Sequence, residues 1–219
     1  MTLAQRLRDW LRPDTTRGRA ADARWVVVDT ETSGLDPVND RLLAIGAVTV
    51  DPTGIRLDDS FEVVIHSNHA GDKDNVVIHG IGHEAQSLGV PVADALHAFS
   101  AFVADAPCVG FHSEFDQTAL AQCANAVGVP LPLPHWLDLA QLAAALVPES
   151  HRRGKRSLDH WLAKFDIDVV ARHTAAGDAL ATAELLLRLR AMAATQRVSG
   201  FSGLVRLSRQ HRWLGNADA

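Results

Sequence analysis

The sequence predicts an α/β protein in which one mixed, five-stranded sheet is flanked by helices. Three strand-like runs come first, at 25–30, 41–50 and 54–65, and strands alternate with helices from about residue 92 onward. The first run is continuously apolar, as expected for a strand that is buried on both faces. The turn between the second and third runs, Asp51-Pro52-Thr53-Gly54, predicts a hairpin. Antiparallel pairing early in the chain and β/α alternation later together give a mixed sheet.

Hydrophobic periodicity predicts the remaining elements in the second half of the chain. We expect short strands at 107–111 and just after the Pro-rich break 130–134. Helices are expected at about 92–104, 115–127, 137–147, 157–164 and 175–194. The chain then divides into an N-terminal helix and linker (1–23), one domain (24–195) and a basic C-terminal tail (196–219).

The composition excludes several classes of protein. With 47% hydrophobic and 21% charged residues among its 219, the chain is not intrinsically disordered. No apolar run reaches the roughly 18 residues that a membrane span needs, so we expect no membrane partner. Two cysteines suggest a reducing compartment, and we expect a cytoplasmic protein. A net charge of −5 argues against a nucleic-acid-binding protein unless the protein also binds cations.

Two carboxylates follow the first apolar strand in the run Val-Val-Val-Asp-Thr-Glu. Residues two apart on a strand point to the same face, so Asp29 and Glu31 project together beside an apolar core. The two carboxylates lose hydration there and repel each other, so they need protons or a cation between them. Hard oxygen ligands suit Mg²⁺ or Mn²⁺. The alternative is that both acids are solvated or only cap the loop that follows.

Two further acids and one histidine stand at comparable positions. Asp116 lies where a short strand passes into a helix, and Asp178 lies at the start of the long helix near the C-terminus. Sites in α/β folds form at such strand ends and helix starts, and a helix N-terminus favours a carboxylate. His173 lies just before the same helix, from where it could reach toward the same point.

The order of these residues resembles the DEDDh family of 3′–5′ exonucleases, the group that contains the proofreading epsilon subunit of bacterial DNA polymerase III. The resemblance rests on Asp29-x-Glu31-Thr32-x-Gly34, on Asp116 after a strand, and on His173-x₄-Asp178. It covers about residues 24–192. It implies a ribonuclease-H-like fold and a two-metal mechanism.

The same resemblance implies a role for each acid. Asp29 would bridge two Mg²⁺ or Mn²⁺ ions, Glu31 and Asp178 would complete one site, and Asp116 would support the other. His173 would be the general base that takes a proton from the attacking water. The resemblance also implies that His79 and Ile81 form part of the pocket for the terminal nucleotide, with an ordinary loop histidine as the alternative for His79. Thr32, Gly34, Leu35 and Phe115 are further candidate substrate contacts, and a place in the core is the alternative for Phe115.

The function expected from the resemblance is that of a metal-dependent exonuclease that acts on the 3′ end of single-stranded DNA. It would release 5′-mononucleotides in a proofreading or repair role, and a DNA polymerase is a candidate partner. Two alternatives stay open: an RNA-trimming 3′–5′ exoribonuclease, and a non-catalytic module that binds nucleic acid or a polymerase. No residue distinguishes a 2′-hydroxyl from its absence.

The C-terminal tail allows three interpretations. From Arg188 to Ala219 there are six arginines and a single acid, Asp218. Gly200 and Gly203 disfavour a helix that stands alone. Packing of the tail against the domain is the favoured interpretation, because apolar residues are spaced along it. Binding of nucleic acid and docking of a partner are the alternatives.

Overall fold

The computed structural model describes residues 22–67, 81–133, 135–147, 156–169 and 171–215. Two sequence predictions therefore lie largely or wholly outside the described residues. They are the N-terminal helix and linker over 1–23 and the role of His79.

A single mixed sheet forms the centre of the described structure. Its strands lie in the order β3-β2-β1-β4-β5. The first three strands pair antiparallel, whereas β1, β4 and β5 run parallel to one another. The strands are β1 (Trp25–Thr32), β2 (Leu42–Asp51), β3 (Gly54–Val64), β4 (Cys108–Gly110) and β5 (Trp136–Asp138). The predicted five-stranded mixed sheet is confirmed.

Seven helices surround this sheet within the described residues. They are α1 (His83–Ser87), α2 (Val92–Val103), α3 (Glu114–Val127), α4 (Leu139–Leu146), α5 (Leu158–Lys164), α6 (Ala175–Thr195) and α7 (Gly200–Gly215). None of these helices combines the length and the apolar character that crossing a membrane requires.

Strand β1 separates the two main hydrophobic cores. Val26 and Val28 pack in one core, with apolar side chains of α2 and α3. Trp25 and Val27 pack in the other core, with side chains of α4 and α6. Because side chains alternate along a strand, Asp29 continues the second series and points to the face that α6 covers. The fully apolar run in the sequence thus reflects burial on both faces of the sheet.

Helix α7 packs against α4 and β5. Phe201 and Leu204 are only 7% and 1% exposed and belong to the core that α4 and α6 share. The ring of Phe201 meets Trp25 edge-on, with 5.6 Å between the ring centroids. Each buried side chain contributes roughly 1.5–3 kcal/mol, which exceeds the cost of about 1 kcal/mol for each glycine in a helix. Tertiary packing therefore stabilises a helix that the sequence alone disfavours.

Candidate active site

Asp29 and Glu31 lie near the carboxyl end of β1, and both are half-buried. Their side chains share the strand face that α6 covers, because they continue the alternation of Trp25 and Val27. The intervening residue, Thr30, is buried and its side chain points to the opposite face, toward α3. The strand therefore presents two carboxylates to one helix and a hydroxyl to another.

A close backbone contact brings the start of α6 to these two acids. Asp29 is paired with Gly46 across β1 and β2. A Cβ atom on Gly46 would lie 2.1 Å from the carbonyl carbon of Ala175 and 2.3 Å from the nitrogen of Ala176. Only glycine lets the first turn of α6 pack this close to the sheet. The same turn is capped by Thr174, whose Oγ1 accepts a hydrogen bond from the Gly177 N–H at 3.1 Å.

This contact places Asp178 beside the two strand acids. One carboxylate oxygen from each of Asp29, Glu31 and Asp178 lies within 4.8 Å of the others. Asp178 is only 9% exposed, so its charge is poorly hydrated. Three converging carboxylate oxygens are the donor set that Mg²⁺ and Mn²⁺ prefer. The cluster can therefore hold a divalent metal ion.

Asp116 reaches the site from the other face of β1. It lies in the first turn of α3 and is 4% exposed. Its Oδ1 accepts hydrogen bonds from the backbone N–H of Thr30 at 3.0 Å and from the Thr30 hydroxyl at 2.7 Å. The structure thus brings Asp116 close enough to Asp29 for their charges to interact. It does not place Asp116 in the group of three converging carboxylates.

Three carboxyl groups of the site, those of Asp29, Glu31 and Asp116, have raised pKa values. Burial is the largest cause, and it raises the pKa of Asp29 well above its ordinary value, with further increases from Asp116, Asp178 and Glu31. Burial and the neighbouring acids raise the pKa of Glu31 to about 7. Burial likewise raises the pKa of Asp116 to about 7, although the hydrogen bonds from Thr30 oppose the shift. Such groups need protons or a cation near neutral pH.

Arg172 supplies one positive charge to this cluster. Its Nε donates to Asp159 Oδ1 at 2.8 Å, and its Nη1 donates to Asp178 Oδ1. The positive charge also lowers the pKa of Asp29. Arg172 was not predicted from the sequence as a residue of the site. Its position directly before His173 was the available signal, but only the fold shows that the side chain turns back toward Asp178.

His173 lies in the turn before α6, and it is exposed. Its backbone is in the left-handed region, with φ at 61°. The His173 N–H donates to Asp178 Oδ1 at 3.3 Å, which ties the turn to the acid cluster. The histidine is thus at the rim of the cluster, where its ring is open to solvent.

The end of β1 and the loop after it carry three of the residues predicted to contact substrate. The Thr32 hydroxyl donates to the Gly34 carbonyl at 2.6 Å, which tightens the turn. A Cβ on Gly34 would meet the Asp40 carboxylate at 2.4 Å, so a larger residue would displace that side chain. Leu35 follows and is 94% exposed. An apolar side chain this exposed is available for contact with a ligand.

The two other described residues of this group lie in different surroundings. Ile81 is 8% exposed and packs in a small apolar cluster with Leu43, Ala44 and Ala175. It therefore lies under the start of α6. Phe115 is half-buried and lines an open cleft.

That cleft has a volume of about 1120 Å³ and includes Asp29 and Asp116 in its wall. Leu35 and Phe115 line it as well. One further wall comes from α7, through Val205, Ser208 and Arg209. The acids therefore face a space that is open to solvent and large enough for an extended ligand.

Comparison with known proteins identifies the family. A family model described as "Exonuclease", of the RNase T type, matches residues 26–186. This chain belongs to that exonuclease family. The match contains all of the predicted acids and His173, and it confirms both the resemblance and the prediction of an exonuclease enzyme.

Two bacterial relatives of this exonuclease-family chain are named as DNA polymerase III proteins. A PolC-type DNA polymerase III from Thermotoga maritima is 30% identical over 179 residues, which is 81% of this chain and 12% of that protein. A DNA polymerase III subunit epsilon-like protein from Rhodobacter capsulatus is 28% identical over 188 residues, 85% of this chain and 26% of the relative. The chain thus spans about a quarter or less of the length of these two relatives.

A solved structure has the same fold as this exonuclease-family chain. Exonuclease X in complex with 5′ overhanging duplex DNA aligns with a TM-score of 0.65 at 17% identity. The alignment covers 84% of this chain and 99% of that one. At this identity the likeness establishes the fold, and the predicted ribonuclease-H-like fold is confirmed.

Replacing Gly46 tests the contact that positions Asp178. In Gly46→Ala the new methyl group overlaps backbone atoms of Ala175 and Ala176, which cannot rotate away. We expect the free energy of unfolding to fall by on the order of 1–3 kcal/mol, the usual range for overpacking. Denaturant titration measures this change. The thermal shift produced by Mn²⁺ should shrink as well, because Asp178 moves with the helix.

Gly203→Ala is the matched control. The nearest atom to its added methyl group is the flexible Cγ1 of Val198 at 3.3 Å. We expect nearly unchanged stability, because improved helix propensity offsets the tighter contact. Equal effects of the two substitutions would show that Gly46 does not set the position of α6.

The raised carboxyl pKa values predict how the stability of the metal-free protein depends on pH. The ordinary pKa values of Asp116 and Glu31 are 3.8 and 4.5, and in the folded chain both values are about 7. At pH values between these limits, both groups bind more protons in the folded than in the unfolded chain. Stability therefore falls as pH rises through this window. We expect the Tm in EDTA to decrease from pH 5 to pH 7.

Two variants separate the contribution of the acid cluster to this pH dependence from that of other acids. Asp29→Asn removes one of the groups whose pKa is raised and relieves the repulsion on its neighbours, so its Tm should fall less over the same range. Asp105→Asn changes an exposed acid away from the site and should follow the wild-type curve. A wild-type Tm that is constant or rises between pH 5 and pH 7 would contradict the raised pKa values of Glu31 and Asp116.

Proposed function

We propose that this chain is a metal-dependent 3′–5′ exonuclease that removes 5′-mononucleotides from the 3′ end of single-stranded DNA. One observation carries the proposal: oxygens of Asp29, Glu31 and Asp178 converge within 4.8 Å of one another. Asp29 also lines an open cleft of about 1120 Å³. The catalytic domain would extend over residues 24–195, which the family match over 26–186 supports.

Two divalent cations, Mg²⁺ or Mn²⁺, fit the donor set of this site. Asp29, Glu31 and Asp178 would hold one ion, and Asp29 with Asp116 would hold the second. Such ions supply an activated water and stabilise the charge on the leaving oxygen. Their four positive charges would change the formal net charge from −5 to −1, which lowers the repulsion of a polyanionic substrate.

His173 would act as the general base. A neutral ring nitrogen of His173 accepts a proton from the attacking water, whose oxygen then bonds to the phosphorus of the terminal phosphodiester. The bond from phosphorus to the 3′ oxygen of the preceding nucleotide breaks, and that oxygen takes up a proton. The terminal nucleotide leaves with its phosphate on the 5′ carbon. The exposed position of His173 at the rim of the acid cluster supports this role.

A single strand of DNA is the proposed substrate, and the residues that line the cleft support it. Phe111, Phe115 and Trp136 line the cleft and offer ring surfaces to unpaired bases. A base inside a duplex is already stacked and paired, so it gains less from such contacts. The relatives named as DNA polymerase III proteins, and the DNA complex of exonuclease X, support DNA over RNA and a proofreading or repair role with a polymerase partner.

Digestion of matched DNA and RNA oligonucleotides with labelled 3′ ends tests this proposal. With Mg²⁺ or Mn²⁺ we expect a labelled mononucleotide to be released first from single-stranded DNA. EDTA should abolish this release, because the carboxylates cannot activate water without a cation. Asp29→Asn should abolish it in a protein that still folds, and Asp105→Asn should retain full activity.

The outcomes separate the parts of the proposal. Full activity in EDTA, or an active Asp29→Asn enzyme, would exclude the metal-dependent mechanism. Faster digestion of RNA would exclude DNA as the preferred substrate and would support the exoribonuclease alternative.

Substitution of His173 distinguishes a general base from a metal ligand. In His173→Ala we expect the hydrolysis rate to fall by roughly 10²–10⁴, the usual range for general acid–base catalysis. Calorimetric titration with Mn²⁺ should give an unchanged affinity, because the carboxylates remain. His97→Ala, an exposed histidine on α2, is the matched control and should keep the wild-type rate. Wild-type turnover in His173→Ala would leave His173 without a catalytic role.

A further inference from the structure

Helix α7 lies beyond residue 186, where the family match ends, yet it contributes to the cleft. We propose that Arg209 on this helix binds a backbone phosphate of the nucleic-acid strand in the cleft. The inference rests on the proposed function, because it assigns a further contact to the same substrate.

Packing fixes the orientation of α7. Phe201 and Leu204 are buried in the core, and Ser208 is 6% exposed. Residues three and four apart lie on one face of a helix, so 201, 204 and 208 form the buried stripe. Arg209 stands at the edge of this stripe, where it is exposed and lines the cleft. Packing of this stripe holds the helix backbone at Arg209 in place relative to the sheet.

Arg209 provides positive charge in a cleft whose other charged residues are acids. Four acids line the cleft, namely Asp29, Glu114, Asp116 and Asp138. Among the described residues of this lining, Arg209 is the single arginine or lysine. Bound cations can neutralise the acids close to the reacting phosphate. A phosphate further along the nucleic-acid strand would lie away from these cations, and the guanidinium of Arg209 could bind it in a planar, two-point geometry.

Arg209 has no competing ion pair among the described residues. Other arginines near the sheet are engaged: Arg24 pairs with Asp59, and Arg172 pairs with Asp159 and Asp178. Within the part of the chain that the structure describes, no carboxylate lies at ion-pair distance from Arg209. Its binding to phosphate would therefore break no existing ion pair among these residues.

Trp136 indicates the direction in which the nucleic-acid strand would run through the cleft. It lies on β5, which α7 contacts, and it lines the same cleft. Its indole N–H donates to the Leu133 carbonyl at 3.2 Å, which fixes the ring. A base over Trp136 and a phosphate at Arg209 would extend the strand from the acids toward α7. Arg209 would thus recognise the sugar–phosphate backbone at a phosphate other than the one that is cleaved.

The test compares Arg209→Gln with Arg206→Gln. Both residues are exposed on α7, but Arg206 does not line the cleft, so this variant controls for loss of charge on the helix. Binding of a fluorescent oligothymidylate is measured by anisotropy in Ca²⁺ over a range of salt concentrations. For Arg209→Gln we expect the slope of log affinity against log salt to flatten by about 0.7, the value for one phosphate contact on a single strand.

Kinetics provide a second readout in the presence of Mn²⁺. The KM for the oligonucleotide should rise about tenfold in Arg209→Gln. This change corresponds to the lower end of the range of free energies found for a hydrogen bond to a charged group. Hydrolysis of the p-nitrophenyl ester of thymidine 5′-monophosphate should be unchanged, because this substrate has no further phosphate. Arg209→Lys should restore part of the oligonucleotide affinity.

The outcomes distinguish this inference from the proposed function. If the wild-type protein digests DNA and Arg209→Gln has the same salt slope and KM as Arg206→Gln, the inference is wrong and the proposed function stands. If Arg209→Gln also slows hydrolysis of the small ester, the residue does not act through a distant phosphate and the inference is wrong. If the wild-type protein digests no nucleic acid with Mg²⁺ or Mn²⁺, the proposed function fails, and the inference fails with it.

Discussion

Contact between the backbone of Gly46 and the first turn of α6 determines where Asp178 lies. Gly46 is paired with Asp29 in the sheet, so the helix start is brought to the level of the strand acids. Three carboxylates from two distant parts of the chain converge as a consequence. Any larger residue at 46 would push the helix outward, and the acids would separate. A glycine without a functional group of its own thus controls the geometry of the site.

The converging acids oppose folding unless their charge is compensated. Burial raises the pKa of Asp29, Glu31 and Asp116, so part of the compensation comes from protons. The Arg172 guanidinium provides another part through its ion pair with Asp178. Divalent cations would compensate the charge more completely, because two positive charges would be held between several oxygens. Sites that concentrate like charges generally exchange stability for function in this way.

Helix α7 shows how a basic tail becomes part of a cleft. Its apolar side chains, Phe201 and Leu204, complete the core on the α4 and α6 side of the sheet. The same packing leaves Arg209 in the wall of the cleft that the acids of β1 and α3 also line. A segment outside the matched family region therefore contributes both stability and a positive charge to the site.

The amino-acid sequence alone was enough to predict the order and type of the five strands, five of the seven described helices and the main acids of the candidate site, whereas α1 and α7 were not predicted. Apolar runs and periodicity are local properties, and the spacings Asp29-x-Glu31 and His173-x₄-Asp178 are local as well. Three features were decided only by the tertiary structure: the close approach at Gly46, the ion pair of Arg172 with Asp178, and the place of α7 in the cleft. Each depends on contacts between residues far apart in the chain, which no pattern of neighbouring residues records. Gly200 and Gly203 disfavour a helix locally, and only the core that receives Phe201 and Leu204 makes it stable.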